Sequence, residues 1–573
     1  MSSTTDTEED VPEATPALEP RKATRPWWIR HYTFTGTAIG LIFIWFSMTP
    51  SLLPRGALFQ GIVSGISGAI GYGLGVFSVW LVRYMRSKNS SPPPPSWAWK
   101  VLIPVGVIGQ AVMAVRFHVW QDRVRDLMGV EHLKWYDYPE AAILGVIVLF
   151  TFVEIGQLIR RLIIFLVGQV DRIAPFRVSA TIVVVLLVTL TVMLLNGVVI
   201  KFAMRELNGT FASVNDEMNA SIAQPHSRLR SGGPESLVSW NSLGHQGRIF
   251  VQAGPTVQQL TAFNGADALE PIRAYAGLDS ADGIEATAEL AARELERTGG
   301  LSRAVVAVAT TTGTGWINEA EADALEYMYN GNTAIVSMQY SYLPSWLSFL
   351  VDKENARRAG QALFEAVDKL VRQMPESMRP KVVVFGESLG SFGGEASFMS
   401  LNNVLARTDG ALFSGPTFNN TIWTQLTATR DPGSPEWLPI YDHGRHVRFI
   451  ARPSDLARPP SDWGRPRAVY LQHASDPIAW WTPDLLFSRP DWLAEKRGYD
   501  VLPETRWIPV VTFLQVSADM AVAVDVPDGH GHHYVADVAD GWAEVLSPPG
   551  WTPAKTAKLR PLLHSNASGG SSG

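Results

Sequence analysis

The stretch Lys381-Val382-Val383-Val384-Phe385-Gly386-Glu387-Ser388-Leu389-Gly390 decides the reading of this chain. Its consecutive apolar residues, mostly β-branched valines, predict a buried strand over Lys381 to Phe385. Gly386 and Gly390 flank Ser388 at G-x-S-x-G spacing, and a helical stretch begins near Phe392. Glycines at these positions let the backbone turn sharply, so that a serine hydroxyl is held at the carboxyl end of a strand above the next helix. A bare G-x-S-x-G is weak in a chain with 48 Gly. The strand before it and the helix after it give the match its weight.

Working outward, the same alternation continues on both sides. Ala304 to Ala309 (AVVAVA) predicts a strand that runs into the turn Thr310-Thr311-Thr312-Gly313-Thr314-Gly315, followed by an acidic helix from Asn318. Arg248 to Ala253, Thr333 to Gln339, Ala411 to Ser414, Ala468 to Gln472 and Trp507 to Val516 read as further strands. Ile284 to Arg297 and Asn355 to Gln373 are amphipathic at helical spacing, and the last helix is expected over Ala536 to Val545. Apolar strands alternating with helices imply a mostly parallel sheet covered on both faces.

A serine hydroxyl is a poor nucleophile until a base takes its proton, so a histidine must reach Ser388. Downstream lies Asp528-Gly529-His530-Gly531-His532-His533-Tyr534, between the last expected strand and the last helix. His532 is favoured as the base because it follows a glycine and leads into the helix, with His530 second. A metal-binding or idle His-rich loop is the bland alternative. An acid is needed to accept the imidazole N–H and fix its tautomer. The strand Ala468 to Gln472 runs into His473-Ala474-Ser475-Asp476-Pro477, which puts Asp476 in place; Asp431, Asp462 and Asp484 compete from other loops. For the oxyanion, one donor is expected from the Leu389 N–H, directly after the nucleophile. The second is expected from Thr312 or Gly313, unless that loop is a plain β-turn.

The first half has a different character. His31 to Pro54, Gly56 to Val82, Val101 to Val115, Ala141 to Ile159 and Val178 to Ile200 are apolar runs with few or no charges, which gives five expected membrane spans. Crossing the hydrocarbon layer takes about 20 apolar residues in a helix. Buried helices of a soluble protein would be the alternative, but Trp, Tyr, Arg and Lys cluster at the run ends, as they do at membrane interfaces. Arg21, Lys22, Arg25, Arg30, Arg83, Arg86, Lys88, Lys100, Arg160, Arg161, Arg172 and Arg177 fall on one side of this topology, against Arg55, Arg116, Arg123, Arg125 and Lys134 on the other, a modest bias. That bias sets the N-terminus in the cytoplasm and the residues after about 204 outside. Gly61, Gly65, Gly71 and Gly75 offer a small-residue face for packing within the bundle or for a homo-oligomer. Glu154 is read as a structural carboxylate near the cytoplasmic interface.

The expected organisation is therefore a disordered tail over residues 1–30, a membrane domain over 31–203, a connector over 204–247, a catalytic domain over 248–563 and a linker scar over 564–573. Bulk properties agree. The 573 residues are 46% hydrophobic and include 20 Trp, which suits membrane contact and a lipid bilayer as partner. A net charge of −6 with no basic run among aromatics gives no nucleic-acid footprint. Cysteine is absent, which removes disulfides, thiolate chemistry and Cys-ligated zinc. Nothing calls for a cofactor or a metal.

The elbow GESLG, the loop ATTTGTGW, the turn HASDPI and the segment DGHGHHY, with SWNSLGHQGRIFV and RDPGSPEWLPIY, together resemble a family of actinobacterial membrane proteins. In that family a five-span N-terminal domain is joined to an α/β-hydrolase domain. The resemblance covers about residues 30 to 560 and implies a serine hydrolase facing the cell envelope, with no substrate named. The aromatic patches Ala479-Trp480-Trp481, Leu485-Leu486-Phe487, Trp492 and Tyr342 to Leu350 suit a hydrophobic or lipid ester. An acyltransferase using the same triad, or a catalytically silent binding module, are the competing readings.

Overall fold

Short apolar runs, most of them ending in a polar or glycine-bearing loop, assemble into one seven-stranded sheet. The computed structural model describes residues 32–86, 94–170 and 222–570, with a few further positions between 182 and 215. The strands are β1 (Ile272–Ala276), β2 (Val305–Ala309), β3 (Thr333–Met338), β4 (Lys381–Glu387), β5 (Gly410–Ser414), β6 (Val447–Ile450) and β7 (Arg467–Leu471). All neighbours are parallel, in the order β1-β3-β2-β4-β5-β7-β6. Apart from Lys381 and Arg467 at two strand starts, every strand residue is buried, as a sheet covered on both faces requires. The chain leaves β2 toward β3 on one side and leaves β4 toward β5 on the other. In open parallel sheets such a divergence opens a crevice at the carboxyl ends of the two strands.

The N-terminal part contains α1 (Phe34–Ser47), α2 (Ala57–Met85), α3 (Ser96–Met128) and α4 (Asp137–Val170). Three of these, α2, α3 and α4, are long and apolar enough to cross a membrane. Among the described residues that makes three candidate spans where five were expected along the chain. At 14 residues α1 is about 21 Å long, short of the hydrocarbon thickness. It stops at Ser47 because the chain turns away through Thr49-Pro50 and buries Leu52 and Leu53 in the core of the sheet domain. The expected tail over 1–30 lies outside the described residues, as does nearly all of the fifth run, Val178 to Ile200.

The small-residue face of α2 is occupied within the bundle. A methyl group on Gly61 or Gly65 would come within 3 Å of Ala141 O or Val148 of α4, and one on Gly71 or Gly75 would strike Phe43 or Thr35 O of α1. Glu154 accepts a hydrogen bond from the Tyr32 hydroxyl at 2.9 Å.

Around the sheet, α6 (Ile284–Arg297), α8 (Lys353–Gln373) and α9 (Leu389–Glu395) pack together on one face. On the other lie α7 (Glu319–Met328), α11 (Val538–Leu546) and α12 (Pro553–Gly570). Two further helices, α5 (Gly244–Gln252) and α10 (Val511–Met520), overturn strand expectations at Arg248 to Ala253 and Trp507 to Val516. Runs this short do not distinguish strand from helix by pattern alone. In α10 the buried residues Val511, Thr512, Gln515, Val516 and Asp519 recur at helical spacing, which β-branched composition hid. Neither β1 nor β6 was expected, and α12 follows the helix taken as last, running past the expected domain end at 563.

Candidate active site

Strand β4 ends at Glu387 and α9 begins at Leu389, which leaves Ser388 between them at φ 58°, ψ −121°. A non-glycine residue in this region is strained and persists only where its surroundings hold it. Here the Ser388 N–H donates to Ser414 O of β5 at 2.9 Å, and its carbonyl accepts from Phe392 N at 3.1 Å and Ser391 Oγ at 2.7 Å. Both flanking glycines are required by close backbone approach. A methyl group on Gly390 would lie 2.3 Å from Thr310 O, and one on Gly386 would lie 2.6 Å from the Gly390 carbonyl carbon.

The histidine loop arrives over the ends of β5 and β7. His532 Nδ1 is 2.7 Å from Asp476 Oδ2, and both residues are buried. Asp476 caps the turn after β7: Oδ1 accepts from Ile478 N at 2.8 Å, so one oxygen fixes the loop and the other meets the imidazole. With Nδ1 donating to Asp476, Nε2 is left as the acceptor. That atom is buried and has no hydrogen-bond partner among the described residues, Ser388 Oγ included. Burial disfavours the imidazolium, but the charge and hydrogen bond of Asp476 outweigh it, so the His532 pKa stands above the ordinary value.

His530 goes elsewhere. Its Nδ1 is 3.3 Å from Asp500 Oδ2, an oxygen that also accepts from the Ser475 hydroxyl. The structure thus pairs His532 with Asp476 and leaves His530 on a different carboxylate, Asp500. The competing acids do not reach the loop: Asp462 and Asp484 are exposed, and Asp431 accepts from His443 N. Of the two expected oxyanion donors on the loop after β2, Thr312 gives its N–H to Trp316 O at 2.9 Å. That leaves Gly313 of the pair. The Leu389 N–H opens the first turn of α9, where a helix supplies no carbonyl for it.

Three neighbours escaped the sequence reading. The Tyr534 hydroxyl donates to Asp476 Oδ2 at 2.7 Å and accepts from His473 N at 3.2 Å. The His473 ring stacks on Tyr534 with centroids 4.3 Å apart. Glu387, the variable residue of the G-x-S-x-G motif, turns inward: its Oε1 is 3.9 Å from His532 Nε2, and Asn318 Nδ2 donates to its other oxygen. Burial pushes the Glu387 pKa up to about 7, against the pull of His532 and Asn318. Tyr534 stands in the same short motif as His532, which is the one signal that could have drawn attention to it.

Aromatic side chains from the loops after β3, β5 and β7 meet at this end of the sheet. Trp481 lies 6.2 Å from Phe349, 5.6 Å from Phe418 and 5.6 Å from Phe513 by ring centroids. A cavity of about 1460 Å³ lies elsewhere, between Arg123 and Leu127 of α3 and the segment around Lys496 and Leu502, and no expected catalytic residue lines it. No group of three or more His, Asp or Glu among the described residues is arranged to hold a metal ion.

Comparison with known families agrees with this architecture. The model of an alpha/beta-hydrolase family matches residues 272–559, from β1 into α12, and the model of an alpha/beta-hydrolase family N-terminus matches residues 48–255. No curated protein and no solved structure matches the chain. The first match spans the sheet, the serine turn, Asp476 and the histidine loop, and the second spans the three long apolar helices that fit a membrane anchor. The chain belongs to the alpha/beta-hydrolase family.

Proposed function

We propose that this protein is a membrane-anchored serine hydrolase that cleaves a hydrophobic or lipid ester through an acyl-enzyme on Ser388. The observation that carries the proposal is the pairing of His532 Nδ1 with Asp476, which leaves a buried, unpartnered Nε2 beside the strained serine turn. In this reading His532 Nε2 takes the Ser388 proton as Oγ attacks the ester carbonyl, and Asp476 stabilises the imidazolium through Nδ1. The Leu389 N–H, with Gly313 as second donor, receives the charge that develops on the carbonyl oxygen. His532 then gives its proton to the departing alcohol, which leaves the acyl group on Ser388. Water attacks that ester while His532 takes a proton from it; the C–Oγ bond then breaks, His532 returns the proton to Ser388 Oγ, and the carboxylic acid is released.

The aromatic cluster of Phe349, Phe418, Trp481 and Phe513 favours an apolar acyl group. A fluorophosphonate probe tests the assignment. Purified protein is expected to be labelled at one site, and Ser388→Ala to lose the label. Absence of labelling in folded wild type makes the domain a silent binding module. Product analysis with added acceptor alcohols separates hydrolysis from acyl transfer through the same intermediate.

A further inference from the structure

The segment between α1 and α2, Met48 to Gly56, belongs to the membrane half by sequence and to the catalytic half by contact. Leu52 and Leu53 are buried to 1% and 0% exposure within the core of the sheet domain. Three groups of the turn converge on one carboxylate oxygen of α10: the Ser51 hydroxyl, Leu52 N at 3.0 Å and Leu53 N at 3.4 Å all donate to Asp519 Oδ2. Gln515, one helical turn earlier, donates from Nε2 to Thr49 O at 2.9 Å and Ser47 O at 3.2 Å. Arg55 is fully buried and ties the turn back on itself, with its guanidinium on Thr49 O at 2.9 Å. A surface anchor would not need a buried carboxylate and a buried guanidinium at its joint, since each is costly to bury unless its hydrogen bonds are met.

What lies beyond α10 gives this joint its meaning. Four residues past Asp519, Ala523 O accepts from the His532 N–H at 2.7 Å, a tight bond to the residue proposed as base. Leu53 also lies beside the histidine loop. A methyl group on Gly531 would lie 3.4 Å from Leu53 Cδ2, in ordinary packing contact, while Ala523 O would stand 2.5 Å from it on another side. The backbone of Gly531 is gripped as well, its N–H on Ser475 Oγ at 2.8 Å and its carbonyl on His473 Nδ1 at 2.9 Å. The turn thus stands on one side of Gly531, and Ala523 O on another.

We propose that the Met48 to Gly56 turn is a positioning element for His532, so that the membrane domain is part of the catalytic apparatus and not a tether alone. This inference rests on the serine-hydrolase reading. The mechanism is mechanical: Leu53 backs Gly531, and the Asp519 clamp holds the end of α10 from which Ala523 reaches His532. Loss of either lets the imidazole drift relative to Ser388. A misplacement of about 1 Å costs on the order of a hundredfold in turnover.

The test uses the full chain in detergent, with turnover counted per folded molecule recovered by size exclusion. Leu53→Ala and Asp519→Asn are expected to lower kcat on a chromogenic ester by about ten- to a hundredfold and leave KM within about twofold of wild type. Leu53→Met, which refills most of the volume, is expected to restore most of kcat. An anchor or a merely structural joint would change melting temperature or yield and leave kcat of the folded fraction intact. That outcome overturns the inference. Should Leu53→Ala not fold, Ser51→Ala decides: it removes one of three donors to Asp519, and unchanged kcat counts against the proposal. Wild type that fails to react with a fluorophosphonate overturns the hydrolase reading and this inference with it, whereas reactive wild type with indifferent turn variants overturns this inference alone.

Discussion

Two imidazole–carboxylate pairs lie two residues apart in the same loop, and they are not equivalent. His532 and Asp476 are both buried, meet at 2.7 Å, and leave Nε2 unpartnered. His530 and Asp500 meet at 3.3 Å, with the histidine about one-quarter exposed and the carboxylate shared with Ser475. The difference lies in what each carboxylate is doing. Asp476 has its second oxygen committed to the turn after β7 and Tyr534 beside the first, so its position is over-determined. Asp500 instead joins Ser475, which in turn holds Gly531 N, so that pair braces the loop from behind. Pairing alone does not make a base; the proposed base is the ring that is itself buried, on a carboxylate that is buried and fixed by other bonds.

The largest expected effect separates the two pairs. His532→Ala and Asp476→Asn should each lower kcat/KM on a model ester by about ten-thousandfold, since either change removes the base or its tautomer. His530→Ala should cost about tenfold or less, through loosening of Gly531, and Asp500→Asn should act mainly on stability, by about 1–3 kcal/mol for a disturbed buried hydrogen-bond group. Steady-state kinetics and thermal melting on the same four variants check this. Equal losses at His530 and His532 would break the comparison. A smaller effect comes from the floor beneath the ring. Gly415, at φ 53° after β5, lies so close that a methyl group there would stand 2.4 Å from His532 Cε1. Gly415→Ala should tilt the imidazole and lower kcat by about ten- to a hundredfold, and wild-type turnover in that variant would show the ring to be free to move.

How much of this was legible in the sequence follows physical lines. The serine turn could be read because its chemistry is local: a valine run, two glycines forced by backbone contact, and a helix start. Asp476 could be offered by order along the chain, since it follows a recognisable strand, whereas the histidine loop was located after a strand that proved to be the helix α10. The choice of His532 over His530 is different. It depends on which carboxylate lies across a gap of 56 residues for one ring and 30 for the other, and no local pattern encodes that. The same limit explains Thr312, whose amide is claimed by Trp316 within a turn whose internal bonds the sequence does not display. Leu52 and Leu53 were read as part of a membrane span because they are apolar and lie between apolar runs. Their burial against α10 is a long-range fact. The β-branched residues of α10 misled for a related reason, since packing against the membrane turn overrides a modest strand propensity.

The finest test concerns the charge on the other side of the His532 ring. Glu387 Oε1 stands 3.9 Å from Nε2, with Asp476 at Nδ1, Asn318 on the second Glu387 oxygen, and buried Glu321 of α7 behind. Glu387→Gln keeps the shape and removes one negative charge that favours the imidazolium. His532 serves as a base only when neutral, so losing that charge lowers its pKa and carries the acid limb of the kcat/KM profile to lower pH. The plateau should change little, by about twofold, because no bond to substrate is lost. Stability carries a second signature. A carboxyl group at about 7 when folded holds its proton more tightly than the same group near 4.5 in the open chain. Its protonated form therefore favours folding, and that contribution is full below about 4.5 and is lost as pH rises through about 7. Melting curves from pH 5 to 8 should show a decline for wild type that Glu387→Gln flattens. If the limb stays in place while the melting profile flattens, Glu387 governs the fold at this spot and not the base. A limb that moves to higher pH would mean that the imidazolium draws no support from Glu387.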